Sequence, residues 1–382
     1  MSIIFLAGDF PPAIGGIQTY SYELVSAVAE QGQEVAVVAS AQAGSERVDD
    51  ALACSVLRVP TSDSYPAAAL RMAAGAQNLT STLDTPVRCL VATKWTPEGP
   101  AAISAGKALR CPFVLLGYGS EFLTSARQFV KWLVQRAVLK RAARCMAIST
   151  YTADRFVRAR VPRDRVDVIY GGVRAERFTD LPPQTEEIRR ELGLEGRPVI
   201  LTVARLVRRK GHDCVLRALP RVLEAVPEAV YLVVGEGPMR DELDARVAEL
   251  GLAEHVRFTE SVPGELLPAY YHLCEVFVMP SRPVRGELPE GLGLAFLEAS
   301  AAAKPVVGNR FGGIPDAVAE GESGLLVEPE DVEALAQALT ELLTDPERAQ
   351  RLGQNGRARV LTDFTWSRVA ERFLAALDRL QA

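Results

Sequence analysis

Lysine is scarce in this chain: only six of its 43 cationic residues are Lys, at 94, 107, 131, 140, 210 and 304, so each position is informative. There are three His and six Cys, with no C-x-x-C spacing and no paired Cys/His set, which argues against a zinc site. Cys54, Cys89, Cys111, Cys145, Cys214 and Cys274 are dispersed and several sit in apolar runs. They read as buried, reduced thiols of a cytosolic protein. No apolar span reaches the roughly 18 residues that a membrane-crossing helix needs. The opening MSIIFLAGDF lacks a basic stretch, and its apolar run is too short for a signal peptide. The chain has no D-x-D triplet, so nothing calls for a metal, and no G-x-G-x-x-G follows its first expected strand. A net charge of −5 argues against bulk nucleic-acid binding.

What is present fits a soluble globular protein. With 382 residues, 48% hydrophobic and 24% charged, the chain has room for two domains with substantial cores. Ser2 to Ala7 reads as a buried parallel strand. It is followed by the loop Phe10-Pro11-Pro12-Ala13-Ile14-Gly15-Gly16, a helix over Ile17 to Gln31 and a strand over Glu34 to Ser40. This βαβ start sets Gly15 and Gly16 at a helix N-terminus, where backbone can approach an anion. Further strands are expected at Cys89–Ala92, Pro112–Leu116, Arg144–Ile148 and Val166–Tyr170. The Pro-rich segment Thr179 to Gln184 (TDLPPQ) reads as a linker. A second alternation then begins, with strands at Val199–Val203, Ala229–Val234 and Val256–Phe258 and helices between them.

The densest signal runs from Met279 to Asp316, MPSRPVRGELPEGLGLAFLEASAAAKPVVGNRFGGIPD. Glu290 and Glu298 bracket seven apolar or Gly residues, so on a helix starting near Gly291 they stand about two turns apart. The N–H groups near Gly293 and Leu294 are then candidate phosphate donors. A capping residue plus an exposed ion-pair partner would give the same spacing. Arg205, Arg208, Arg209 and Lys210 place four cations in six residues after the strand at 199–203. Such a run is commonly a solvated loop, but at a strand's carboxyl end Arg205 and Lys210 can meet a diphosphate. Arg127 to Arg144 holds six cations, no acid and interleaved Phe129, Trp132, Leu133, Val134 and Leu139. It reads either as a basic amphipathic helix lying on an anionic membrane or as a core helix with a solvated basic face.

The E-x7-E region, with MPSR before it and GGIPD after it, and the R-x4-K-G element at Arg205–Gly211 resemble the retaining glycosyltransferases of the large family four. Relatives mostly carry Glu where this chain has Asp316. Among members of that family the motifs look closest to phosphatidylinositol mannosyltransferases that use GDP-mannose. The resemblance implies an α/β GT-B fold: two Rossmann-like doubly wound domains facing a central cleft, with a C-terminal helix crossing back to the first domain. It places the domains at 1–178 plus 366–382 (acceptor side) and at 185–365 (nucleotide-sugar side). It implies that Arg205 and Lys210 neutralise the leaving diphosphate, that Glu290 contacts the donor sugar and that Glu298 holds the ribose hydroxyls. Gly15 and Gly16 would touch the diphosphate from the opposite domain. A donor-contacting His is usual in an H-G-x-E element, but here the stretch is Tyr118-Gly119-Ser120-Glu121, so Tyr118 is the expected donor contact. The resemblance further implies metal-independent transfer with retention, by front-face attack, to a lipid or small-molecule acceptor. It suggests a cytoplasmic enzyme, peripheral on the inner face of the membrane if 127–144 docks there.

UDP-glucose and UDP-N-acetylglucosamine users share these motifs, so the donor stays open. An NAD-dependent oxidoreductase is opposed by the missing G-x-G-x-x-G. A non-catalytic nucleotide-sugar binding module is opposed by the intact set of Arg205, Lys210, Glu290 and Glu298.

Overall fold

The computed structural model of the chain describes residues 1–13, 15–119 and 129–380. Continuous Val/Ile/Leu runs, apolar on both faces, form parallel strands covered by helices on each side. In the first unit these are β1 (Ser2–Ala7), β2 (Val35–Ser40), β3 (Ser55–Val59), β4 (Val87–Ala92), β5 (Phe113–Gly117), β6 (Arg144–Ala147) and β7 (Val166–Val168). In the second they are β8 (Val199–Val203), β9 (Val230–Val234), β10 (Val256–Thr259), β11 (Val276–Met279), β12 (Val306–Asn309) and β13 (Gly324–Val327). The seven-stranded sheet has the order β3-β2-β1-β4-β5-β6-β7, and the six-stranded sheet has the order β10-β9-β8-β11-β12-β13. Both are doubly wound, and their strand order reverses between β1 and β4 and between β8 and β11. Open α/β sheets take ligands at such reversals, outside the carboxyl ends of the strands.

The two compact units are Met1–Gly172 with Trp366–Ala382, and Val173–Thr365. The C-terminal helix Trp366–Asp378 is part of the first unit: Phe373 is fully buried and stacks on Phe5 of β1 at 5.8 Å, and Trp366 meets Tyr20 edge-on at 5.4 Å. The chain passes from one unit to the other at Gly172–Val173, not at the Pro-rich 179–184. That segment lies inside the second unit, where Pro182 O accepts from Thr185 N at 3.1 Å and begins the helix Thr185–Glu191. Val173 N donates to Phe364 O at 2.8 Å, so the outgoing and returning chain run side by side.

Two further boundaries differ from expectation. The helix after Glu290 begins at Leu294, not near Gly291, because Gly293 adopts a left-handed conformation (φ 87°) that an entering helix does not continue. The basic segment is helical over Phe129–Arg141, with Arg127 outside the described residues. Arg144 instead opens β6, where its guanidinium pairs with Asp167.

Candidate active site

At the β8/β11 reversal three loops converge. The first follows β8 and carries Arg205, Arg209 and Lys210. It turns at Gly211, which adopts φ +77° and passes so close to Pro280 that a Cβ would lie 2.2 Å from its carbonyl oxygen. Glycine is therefore required directly after Lys210. The second loop follows β11. Arg282 N donates to Arg209 O at 2.8 Å, while the buried Arg282 guanidinium grips both oxygens of Asp213 at 2.9 Å and reaches Glu330 at 2.8 Å. This bidentate clamp ties the loop after β11 to the first turn of the helix His212–Ala225. The third is the Gly-rich turn after β12, where Gly313 N donates to Glu290 O at 2.9 Å.

These supports bring side chains together over long separations in sequence. Lys210 Nζ lies 2.7 Å and Arg209 Nη1 2.9 Å from the same oxygen, Oε2 of Glu290. Glu287 adds a second, more distant carboxylate 4.0 Å from Arg209. Arg205 is exposed at the end of β8 and has no ion pair among the described residues; its carbonyl is bonded by His212 Nε2 at 3.2 Å. Burial pushes the His212 imidazole down to about 4 although the bond to Arg205 O opposes the shift, so the ring is a neutral prop for this loop.

Immediately around Glu290, Arg205, Arg209 and Lys210 stand against Glu290 and the more distant Glu287, and the titration of the pair reflects this setting. Burial pulls the Lys210 ammonium below the ordinary lysine value; Glu290 opposes this, and repulsion from Arg209 and Arg205 adds to it. Burial alone would raise the Glu290 carboxyl, but Lys210 and Arg209 outweigh it and hold its pKa below the ordinary value of 4.5. Lys210 thus moves down chiefly through burial, and Glu290 moves down because two cations bond it.

Glu298 stands on the helix Leu294–Ala301 and accepts from Tyr271 OH at 2.6 Å. Burial pushes its carboxyl up, against the pull of Tyr271 and Arg177. The helix has no side-chain cap, and the N–H groups of its N-cap Gly293 and first residue Leu294 lack intrahelical acceptors. Among the expected residues, Arg205, Lys210, Glu290, Gly293, Leu294 and Glu298 all belong to the second unit. Gly15, Gly16 and Tyr118 belong to the first. Gly15 precedes the helix Gly16–Glu30, and the Tyr118 ring lies edge-on against Tyr20 at 5.3 Å. Ser120 and Glu121 lie outside the described residues. Arg209, Arg282, Tyr271 and His212 join the site without a local sequence signal, since their partners lie 7 to 81 residues away. The MPSR match was the only pointer to Arg282.

The helix Phe129–Arg141 of the first unit presents Phe129 (62% exposed), Val130 (72%), Trp132 (39%) and Leu133 (45%) to solvent. Phe129 stacks on Trp132 at 5.9 Å and Arg136 lies over the Trp132 ring at 5.4 Å. Among the described residues no helix is long and apolar enough to cross a membrane.

Comparison with known proteins fixes the family. Residues 184–359 match the family described as glycosyl transferases group 1, and residues 15–172 match a glycosyl transferase 4-like domain. The chain is 34% identical to the GDP-mannose-dependent alpha-(1-6)-phosphatidylinositol monomannoside mannosyltransferase of Mycolicibacterium smegmatis, with 100% of both chains covered. It is 31% identical to the GDP-mannose-dependent monoacylated alpha-(1-6)-phosphatidylinositol monomannoside mannosyltransferase of Corynebacterium glutamicum, covering 98% of this chain and 97% of that one. The chain is a member of the group 1 glycosyl transferases. Solved structures place this glycosyltransferase in the GT-B fold. An Anabaena protein, HepE, in complex with UDP aligns with a TM-score of 0.81 at 21% identity, over 99% of this chain and 100% of that one. Sucrose-phosphate synthase from Thermosynechococcus elongatus aligns with a TM-score of 0.75 at 24% identity, over 100% and 99%.

The Glu290 pair makes a pH prediction. A carboxyl whose folded pKa lies below its unfolded value stabilises the fold above that unfolded value, and the contribution is lost as pH falls through the folded one. Glu290→Gln should therefore be less stable than the parent at neutral pH in urea unfolding. The difference should shrink as pH falls below the ordinary carboxyl value of 4.5. A difference that stays constant across that range would contradict the charge assignment.

Proposed function

We propose that this glycosyltransferase moves a mannosyl unit from GDP-mannose to a phosphatidylinositol-type lipid, with retention of configuration and without a metal. The observation that carries the reading is the cation excess around Glu290 at the β8/β11 reversal. The choice of donor and acceptor is supported by the activities named for the full-length relatives.

In this reading the chemistry is stabilisation of the leaving group. Cleaving the glycosyl–phosphate bond puts charge on the departing oxygen, and donors already in place there contribute several kcal/mol. Arg205 and Lys210 would meet that charge, and the N–H groups of Gly293 and Leu294 would bond phosphate oxygens. Glu298, now bonded to Tyr271, would accept from the ribose hydroxyls. Glu290, released from its bonds to Lys210 and Arg209 as the diphosphate takes over those cations, would contact the sugar. The roles that the resemblance gives Gly15, Gly16 and Tyr118 are part of the same proposal. The departing phosphate would take the acceptor hydroxyl's proton during front-face attack.

The basic helix fits a lipid acceptor. Exposed Phe129, Val130, Trp132 and Leu133 beside Lys131, Arg136, Lys140 and Arg141 match an anionic bilayer surface. We place the enzyme peripherally on the cytoplasmic face of the membrane.

Turnover should be measured with GDP-mannose, UDP-glucose and UDP-N-acetylglucosamine, with and without chelator, and the product anomer assigned by NMR. GDP-mannose should be preferred, the anomer retained and the chelator without effect. Lys210→Ala should lower turnover by about 100-fold. Near-normal turnover in a folded Lys210→Ala protein, or preference for a UDP-sugar, would overturn the corresponding part. In vesicle sedimentation the enzyme should bind anionic lipid at low salt and be released at high salt, and an Arg136/Lys140/Arg141→Glu triple variant should lose binding. Binding that this variant retains would remove the helix from the membrane contact.

A further inference from the structure

The stretch between β1 and the helix Gly16–Glu30 carries Gly15 and Gly16, and a side chain from two strands away holds its start. Arg58 stands on β3, and its side chain is 12% exposed. Nη2 donates to Pro11 O at 2.7 Å, and Nη1 donates to Ser40 O at 3.1 Å, at the carboxyl end of β2. Nε and Nη2 donate to the two oxygens of Asp49, at 3.0 and 2.6 Å, on the short helix Glu46–Asp50. The guanidinium also lies 5.6 Å from the ring centre of Phe10. Phe10 is fully buried and meets Tyr22 of the helix Gly16–Glu30 at 6.0 Å.

These contacts suit positioning rather than ligand binding. A bidentate carboxylate already matches the Arg58 charge, and its other bonds end on main-chain carbonyls of two separate segments. A planar fork of donors spans a carboxylate and two carbonyls at once, which the compact ammonium of a lysine does not. Phe10 and Pro11 are thereby fixed by Arg58 on one side and by the helix on the other. Past them, the helix Gly16–Glu30 opens without a side-chain cap, so its first N–H groups lack intrahelical acceptors. A Cβ at Gly16 would meet nothing within 4 Å, so the space beside it is open. The second unit holds its own loop in a similar way: Arg282 grips both oxygens of Asp213, and its N–H bonds the Arg209 carbonyl.

We propose that Arg58, backed by Asp49, is a positioning residue for the donor: it holds Phe10 and Pro11 so that the main chain at Gly15 and Gly16 meets the diphosphate in a preset geometry. The assignment rests on the reading in which Gly15 and Gly16 touch the diphosphate, and deepens it by naming the groups that keep them in place. Arg58 itself does not touch the donor. Hydrogen-bond donors fixed before the ligand arrives cost no reorganisation when charge develops on it.

Calorimetric titration of GDP and GMP into the full chain tests the assignment, because only GDP carries the second phosphate. Arg58→Met should weaken GDP binding about tenfold or more, the value of a charge-assisted contact, and leave GMP binding unchanged. Arg58→Lys keeps the charge but loses the fork, so it should resemble Arg58→Met. In transfer assays both variants should raise the KM for the nucleotide sugar by a similar factor. Parental GDP affinity in both variants, an equal loss of GDP and GMP affinity, or full rescue by Arg58→Lys would overturn the positioning role. Should Arg58→Met melt below the parent, Arg58→Lys carries the comparison. Gly16→Ala sets a methyl group in the open space beside the helix entrance and separates the two claims. Weakened GDP binding in Gly16→Ala beside parental binding in the Arg58 variants would overturn the positioning alone. Parental GDP binding in Gly16→Ala would overturn the diphosphate contact, and the positioning with it. Should UDP bind in place of GDP, the UDP and UMP pair supplies the same comparison and only the choice of base fails.

Discussion

The site depends on one unbalanced contact: Lys210 and Arg209 share a single oxygen of Glu290, with Arg205 adding a further positive charge at the end of β8. Bringing cations this close in a partly buried place is unfavourable unless a carboxylate or another anion neutralises them. The surrounding structure enforces the arrangement. Gly211 lets the cationic loop turn under Pro280, Arg282 clamps Asp213 and bonds the Arg209 carbonyl, and Gly313 fixes the Glu290 backbone. Each constraint comes from a different loop of one doubly wound sheet, and the cluster forms only when β8, β11 and β12 are in register.

The two units share a topology and a way of holding the loop after their first-formed central strand. In the second, Arg282 grips Asp213 and bonds the loop that carries Arg209 and Lys210. In the first, Arg58 grips Asp49 and bonds Pro11 in the stretch that leads to Gly15 and Gly16. Each guanidinium is matched by a carboxylate, so it fixes main chain without leaving its own charge unpaired.

The central strands were legible in the sequence because their apolar runs are continuous: Ser2–Ala7 and Val199–Val203 are read to the residue. Two of the four edge strands, β3 and β13, have no such signal. Ser55–Val59 is only partly buried and Gly324–Val327 has four residues opening on a glycine, so neither stands out from its flanks. The spacing of Glu290 and Glu298 was visible, but the helix start was misplaced by three residues because a left-handed glycine cannot be told from a helical one by sequence. Arg205 and Lys210 could be picked out by their place after a strand. The partnerships of Arg209 with Glu290, Tyr271 with Glu298 and Arg282 with Asp213 could not, since each joins residues 27 to 81 positions apart. Arg58 gave no signal, because its partners Asp49, Ser40 and Pro11 lie 9, 18 and 47 residues away.

The central claim is that the cluster at Glu290 is short of negative charge and is completed by a diphosphate. Calorimetric titration of GDP and GMP into the parent and into Lys210→Met, at low and high salt, measures this directly. GDP should bind tighter than GMP by roughly tenfold or more, the value of a charge-assisted contact. That advantage should fall with salt and largely disappear in Lys210→Met. Equal affinity for GDP and GMP in the parent, or an undiminished GDP preference in a folded Lys210→Met protein, would contradict the account.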